Sequence, residues 1–299
     1  MKGEIGLFNI GVCALNTALL YKTSTNRSLL GCYYLPGIIA IAQNPKGWFM
    51  DGEKLKKMPG FFAMGQLIND YNDWTDLGHC TKSGSRDRAK LEGNVENSIL
   101  RVNNTNPHLP LLAQSYIDQT RLLEEHVRTI KNPTIGNVIR YRELTNAIAL
   151  THIAATILPQ EEIDFTQMIF TNSTYPQIEN AYVWITQNGH RELSLAERKF
   201  RAIQSMIVGC QFIDDAADSE CDTALGIPSL TTPFNEIKDE RKVREIYKYY
   251  ALNYFIEAQK LGFSQNVIKA VMFAFGSYKR LSNKRSGIME EGRSRLAKN

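Results

Sequence analysis

Apolar residues recur along this chain at the three- and four-residue spacing of an α-helix, and alternation of the strand type is absent from any run bounded by turn dipeptides. The pattern predicts helices over about 4–22, 28–43, 58–78, 86–102, 110–131, 135–158, 160–171, 176–188, 193–219, 235–261 and 265–284. Breakers separate them. Pro36-Gly37 interrupts the second segment, Asn44-Pro45-Lys46-Gly47 has the composition of a turn, and Pro107, Pro133 and Pro159 stand at junctions. Gly226-Ile227-Pro228 closes the segment before it, and the polar stretch Arg101 to Pro107 reads as the mobile loop. The expectation is an all-α protein, one helical domain over residues 1–299 with no low-complexity linker.

Composition narrows this. With 43% hydrophobic residues in 299 there is material for a sizeable core, and no uninterrupted apolar stretch reaches the length of a membrane span. The segment Met1 to Leu20 carries Glu4, Asn9 and Asn16 and lacks a small-residue cleavage site, so it reads as a first helix and not as a signal peptide. Five cysteines, Cys13, Cys32, Cys80, Cys210 and Cys221, form no CxxC pair, which argues against a disulfide framework and a zinc site and suits a cytoplasmic protein. The sequons at Asn26, Asn103 and Asn172 would then carry no glycan. A net charge of +4 with interspersed signs leaves no broad footprint for nucleic acid.

The chemistry concentrates in Gln211 to Asp222, where five acids occupy nine positions behind an apolar run. Asp214, Asp218 and Asp222 stand at i, i+4 and i+8, on one helical face, with Asp215 and Glu220 nearby. Like charges so spaced repel and call for a cation. Mg²⁺, which takes carboxylates together with water and phosphate oxygens, is the simplest one; a solvated acidic face is the plain alternative. An echo lies upstream. Gln66-Leu67-Ile68-Asn69-Asp70-Tyr71-Asn72-Asp73 aligns with Gln211 to Asp218 at an offset of 145 (211 − 66), both reading Gln-x-Ile-(Asn/Asp)-Asp-x-x-Asp behind an apolar helical run. Asp76 continues the first motif by a turn. Two such helices can face each other across a metal.

In these motifs the chain resembles the class I isoprenoid synthase superfamily of all-α prenyltransferases, squalene and phytoene synthases and terpene cyclases. The resemblance rests on roughly 20 residues. It implies a helical bundle with a central active-site cavity, two acidic motifs on opposed helices, Mg²⁺ as cofactor and a prenyl diphosphate as substrate. Carried over, Asp70 and Asp73, with Asn69 and Asp76, match the first motif; Asp214, Asp218 and Asp222 match the second in its cyclase form, and Asp214, Asp215 and Asp218 in its DDxxD form. The first motif opens Asn-Asp where many members have Asp-Asp. The Arg-Arg pair of chain-elongating members is missing, with Lys82, Arg86 and Arg88 as the nearest bases, which points away from elongation.

The implied activity is Mg²⁺-dependent ionisation of an allylic prenyl diphosphate with release of pyrophosphate, foremost as a terpene cyclase. Chain coupling of the squalene, phytoene or polyprenyl synthase type is the near alternative. An all-α Mg²⁺-dependent nucleotide phosphohydrolase and a non-catalytic helical binding protein are the distant ones. Diphosphate donors are sought in Arg140 and Arg142 and in Lys279 and Arg280; Arg142 beside Glu143 also reads as a surface pair. Phe61, Phe62, Tyr71, Trp74 and Phe212 can supply π-rich walls, with Phe62 and Phe212 foremost. His79 and His152 read as structural histidines, and no Ser-His-Asp spacing, glycine-rich phosphate loop or HExxH motif occurs. A homodimer is allowed.

Overall fold

The computed structural model describes residues 56–78, 85–158, 163–170, 174–186, 192–225 and 240–263, together with Gln265 and Ile268. Among the described residues there are nine helices and no strand: α1 (Met58–Gly78), α2 (Ser85–Thr105), α3 (Leu109–Thr129), α4 (Ile135–Ala155), α5 (Thr166–Ile169), α6 (Tyr175–Ala181), α7 (Val183–Thr186), α8 (Leu195–Leu225) and α9 (Glu240–Lys260). The expected helices 4–22, 28–43 and most of 265–284 lie outside the described residues.

The centre of the bundle is α4, which packs against α1, α3, α5, α7 and α8. Its sequence explains this position. From Leu144 to Ala154 all but one residue is buried, so the helix has no polar face to give to water. Its start is set by a reciprocal capping box: Asn137 N–H donates to Thr134 Oγ1 at 3.2 Å, and Thr134 N–H donates to Asn137 Oδ1 at 2.9 Å. An equivalent box, Ser194 with Glu197, starts α8. The most extensive helix pairing is α8 on α9, and Gly209 makes it possible. A Cβ there would sit 2.7 Å from the Phe255 ring and 3.2 Å from the Ala251 carbonyl. Gly262, at φ 132°, ends α9 in a conformation that disfavours other residues.

Three expectations are corrected. The stretch Arg101 to Pro107 is not a loop: α2 continues through Thr105, held by fully buried Val102 and by Thr105 Oγ1 donating to the Arg101 carbonyl at 2.7 Å, which leaves only a tight Asn106–His108 turn. Segment 160–171 holds only the single turn α5 among its described residues, and 176–188 divides at Tyr182 into α6 and α7. Tyr182 and Ile185, fully or nearly fully buried, draw that short pair onto α3 and α4. Tertiary burial overrides the local period in both places. No helix among the described residues is long and apolar enough to cross a membrane.

Candidate functional site

The two acidic motifs fall on α1 and α8, and both helices pack against α4 instead of pairing extensively with one another. The sequence echo is also an echo in bonding. Gln66 Nε2 donates to Asp70 Oδ1 at 2.8 Å, and Gln211 Nε2 donates to Asp215 Oδ1 at 3.1 Å, the same i to i+4 bond on both helices. Leu67 and its counterpart Phe212 are both fully buried, so the repeated apolar position anchors each motif in the core.

The second bond on each buried aspartate comes from a different helix. Asp70 also accepts the Ser98 hydroxyl of α2. Asp215, 2% exposed, accepts both prongs of Arg142 on α4, Nε to Oδ2 at 3.0 Å and Nη2 to Oδ1 at 2.9 Å. A planar guanidinium on a carboxylate in this geometry is a strong and directional pair. Arg142, sought as a diphosphate donor, and Asp215, sought as a metal ligand, are thus bonded to each other. The Arg142 guanidinium also lies 5.5 Å from the centre of the Tyr141 ring.

Asp73 differs. It is exposed, accepts Asn69 Nδ2 at 3.3 Å, and its carboxyl is pushed above the usual range by local burial and then by the Asp70 carboxylate. On α8, Asp214 lies one position before the Arg142 contact at Asp215, whereas Asp218 and Asp222 lie after it, and the side chains of all three, like that of Asp76, are outside the described set. Among the described residues no group of three or more His, Cys, Asp or Glu is gathered to hold a metal ion. Of the described acids, Asp73 is the exposed carboxylate of the kind a hard, oxygen-seeking cation takes.

Two polar contacts of α3 reach toward the two sides. Tyr141 donates to Glu124 Oε1 at 2.5 Å, and the charges of Arg121, Glu124 and Asp118 all act on Tyr71, whose hydroxyl burial pushes up to about 12. Tyr71 stacks edge-on against Tyr116, and Tyr116 donates to Asn72 Oδ1 at 2.7 Å. α3 thus meets the α1 motif through Tyr116 and meets Tyr141, the neighbour of Arg142, through Glu124. Of the aromatic candidates, Phe62 is half-buried and edge-on to Phe61, whereas Phe212 is fully buried beside Tyr250 and Tyr254 as part of the core. Lys279, Arg280 and His79 lie outside the described residues.

No family model, no curated protein and no solved structure matches this chain.

Two further features stand out, the first at His152, which reads from the sequence as a structural histidine. His152 is fully buried, with Nδ1 2.8 Å from the Ile148 carbonyl and Nε2 2.9 Å from Ser115 Oγ. Gln119 donates to the Met168 carbonyl and accepts from Tyr182, extending the network to α5 and the α6–α7 junction. Desolvation pushes His152 down to about 4, which marks it as a neutral structural histidine. The second feature is a cleft of about 300 Å³ between α4, α7, α8 and α9. Glu143 stands in it, accepting the Tyr254 hydroxyl, with Arg140 Nη1 3.4 Å from its other oxygen. Burial raises the Glu143 carboxyl to about 7. Arg140 is also shared with Thr186 at 2.7 Å and Glu179 at 3.0 Å, so this former diphosphate candidate is held in a protein network of its own. The proximity of Glu143 to Arg140, three positions away on one helix, was the only available sequence signal, and spacing alone does not reveal burial.

Proposed function

We propose that the chain is a Mg²⁺-dependent enzyme that ionises an allylic prenyl diphosphate and releases pyrophosphate, most simply as a terpene cyclase. The observation that carries this reading is the repeated Gln-to-Asp bond, Gln66 to Asp70 and Gln211 to Asp215, on two helices packed against one central helix. Solubility alone does not call for a bonded glutamine and a buried aspartate at equivalent places on two helices. Asp70 ties α1 to α2 through Ser98, and Asp215 ties α8 to α4 through Arg142.

Each residue then has a part. When bound, Mg²⁺ would supply positive charge to stabilise a departing pyrophosphate. Asp73 is the described carboxylate open to it, and Asp214, Asp218 and Asp222 are the α8 candidates by position. Ser98 and Gln66 orient Asp70, and Arg142 and Gln211 orient Asp215. Incubation of the full chain with Mg²⁺ and a panel of prenyl diphosphates, with products sought in organic and aqueous phases, tests the reading. Pyrophosphate release with a hydrocarbon or alcohol product supports cyclisation, and a longer diphosphate or a coupled product supports a transferase. Turnover of nucleoside triphosphates alone overturns both.

One observation favours a second reading, a non-catalytic helical binding protein. Both oxygens of Asp70 and of Asp215 are already bonded by protein donors, as they would be in structural posts. Absence of turnover on any diphosphate, together with no rise in melting temperature with Mg²⁺ and pyrophosphate, selects it.

A further inference from the structure

The cleft between α4, α7, α8 and α9 borders the second acidic motif, since Tyr250 and Tyr254 in its lining pack on Phe212, but its lining includes none of that motif's described acids. Its floor on α8 is formed by Arg201, Gln204 and Ser205, and Ser205 lies ten residues before Asp215, about 15 Å of helix. At about 300 Å³ it is the size of a small-molecule site. We propose that this cleft binds a small organic monocation, an ammonium group seated against Glu143 and the tyrosines of α9.

Charge makes the first argument. The lining carries two carboxylates, Glu143 and Glu257, against one guanidinium, Arg201. Arg201 Nη2 is 3.2 Å from Glu257, and these two neutralise each other. Just outside the lining, Arg140 and Glu179 pair at 3.0 Å and cancel likewise. The group left over is the Glu143 carboxyl, ionised above about pH 7. Its nearest cation, Arg140, touches it only at 3.4 Å while giving shorter bonds to Thr186 and Glu179.

The walls make the second. Tyr254 donates its hydroxyl to Glu143, and Tyr250 lines the cleft beside it, so an ammonium entering there meets a carboxylate and phenol rings together. Ile139 and Ile185 add apolar wall for a short alkyl portion. An anion would meet Glu143 with both nearby guanidiniums already paired. A metal ion is also disfavoured, because no three ligating side chains are gathered among the described residues. The groups facing Glu143 are Arg140 on its own helix, Arg201 on α8 and Tyr254 and Tyr250 on α9, and Glu143 is raised because burial outweighs all of them. A bound cation reverses that balance, so binding near pH 7 expels a proton.

The test is calorimetric titration of the full chain with choline, and with dimethylbutanol, its uncharged carbon isostere, at pH 7 in two buffers of different ionisation enthalpy. Choline is expected to bind while the isostere binds at least about tenfold more weakly, with a proton released on choline binding. Glu143→Gln, which keeps shape and removes charge, is expected to lose that preference. Tyr254→Phe keeps the ring, frees the carboxylate of a competing donor and is expected to bind choline as well as the parent or better. Equal binding of choline and its isostere, unchanged choline binding by Glu143→Gln, or no choline binding at millimolar concentration overturns the proposal. None of these outcomes depends on turnover of a diphosphate.

Discussion

Arg142 of α4 grips Asp215 of α8 with two parallel hydrogen bonds, 3.0 Å and 2.9 Å long, in a place where the aspartate is 2% exposed. The same carboxylate belongs to the most acidic stretch of the chain, yet it is matched inside the protein by a cation from 73 residues earlier. This makes Asp215 a fixed post from which the rest of the acidic run extends.

Cutting that pair from one side leaves a buried charge uncompensated. Arg142→Met is expected to lower unfolding free energy by about 3–5 kcal/mol, and Asp215→Leu by a comparable amount. The double variant is expected to recover most of the loss. Urea denaturation of the four proteins of this cycle measures the coupling, and simple additivity would show that the pair is not formed.

Asp73 should behave in the opposite way. It is exposed and repelled by Asp70, so Asp73→Asn is expected to leave melting temperature unchanged or slightly raised. If the proposed activity holds, the same variant loses turnover on the order of a hundredfold. Thermal melting beside pyrophosphate release separates this residue from Asp215, whose substitution costs the fold first.

Two glycine substitutions are expected to differ in sign. Gly93, on α2, has nothing within 4 Å of an added Cβ, and Gly93→Ala should stabilise by about 0.5–1 kcal/mol through helix propensity. Gly209→Ala forces Phe255 aside at the α8–α9 contact, and overpacking of about 1–3 kcal/mol outweighs the same propensity gain. Shortening the ring by Phe255→Leu in the Gly209→Ala background should restore part of the loss. Chemical denaturation reads both.

Stability against pH carries two opposed contributions. His152, lowered from 6.5 to about 4, stabilises fully above pH 6.5, and that contribution is lost as pH falls toward 4 because the unfolded chain binds the proton first. Glu143, raised from 4.5 to about 7, stabilises fully below pH 4.5, and that contribution is lost as pH rises through 7. Each is worth about 3 kcal/mol, so over pH 4.5–6.5 these two nearly cancel, while the raised carboxyls of Asp73 and Glu124 add slope of the Glu143 sign. Glu143→Gln removes one slope: its stability relative to the parent should climb from pH 4.5 to 7 and exceed that of the parent above pH 7. Denaturation midpoints across pH 4–9 show whether it does.

Much of the helix pattern could be read in advance because it is local. Met58–Gly78 begins and ends at the residues predicted from periodicity, and α4 follows directly on Pro133 and a Thr134 cap. The errors came where burial outranked periodicity, at Val102 in the extended end of α2 and at Tyr182 between α6 and α7. The repeat of Gln66 and Gln211 was visible as spelling, and its meaning as a bonded pair follows from helical geometry, since positions i and i+4 share a face.

The partners of those motifs were beyond any local reading. One chain's order of residues determined its helices, their apolar stripes and the two acidic runs, because each depends on neighbours within a few positions. Only the tertiary structure decided that Asp215 takes Arg142, that Asp70 takes Ser98, and that Glu143 is walled in by Tyr254. These are meetings between helices, chosen by which faces must leave water together, and charge on a helix surface does not announce which of those faces it will share.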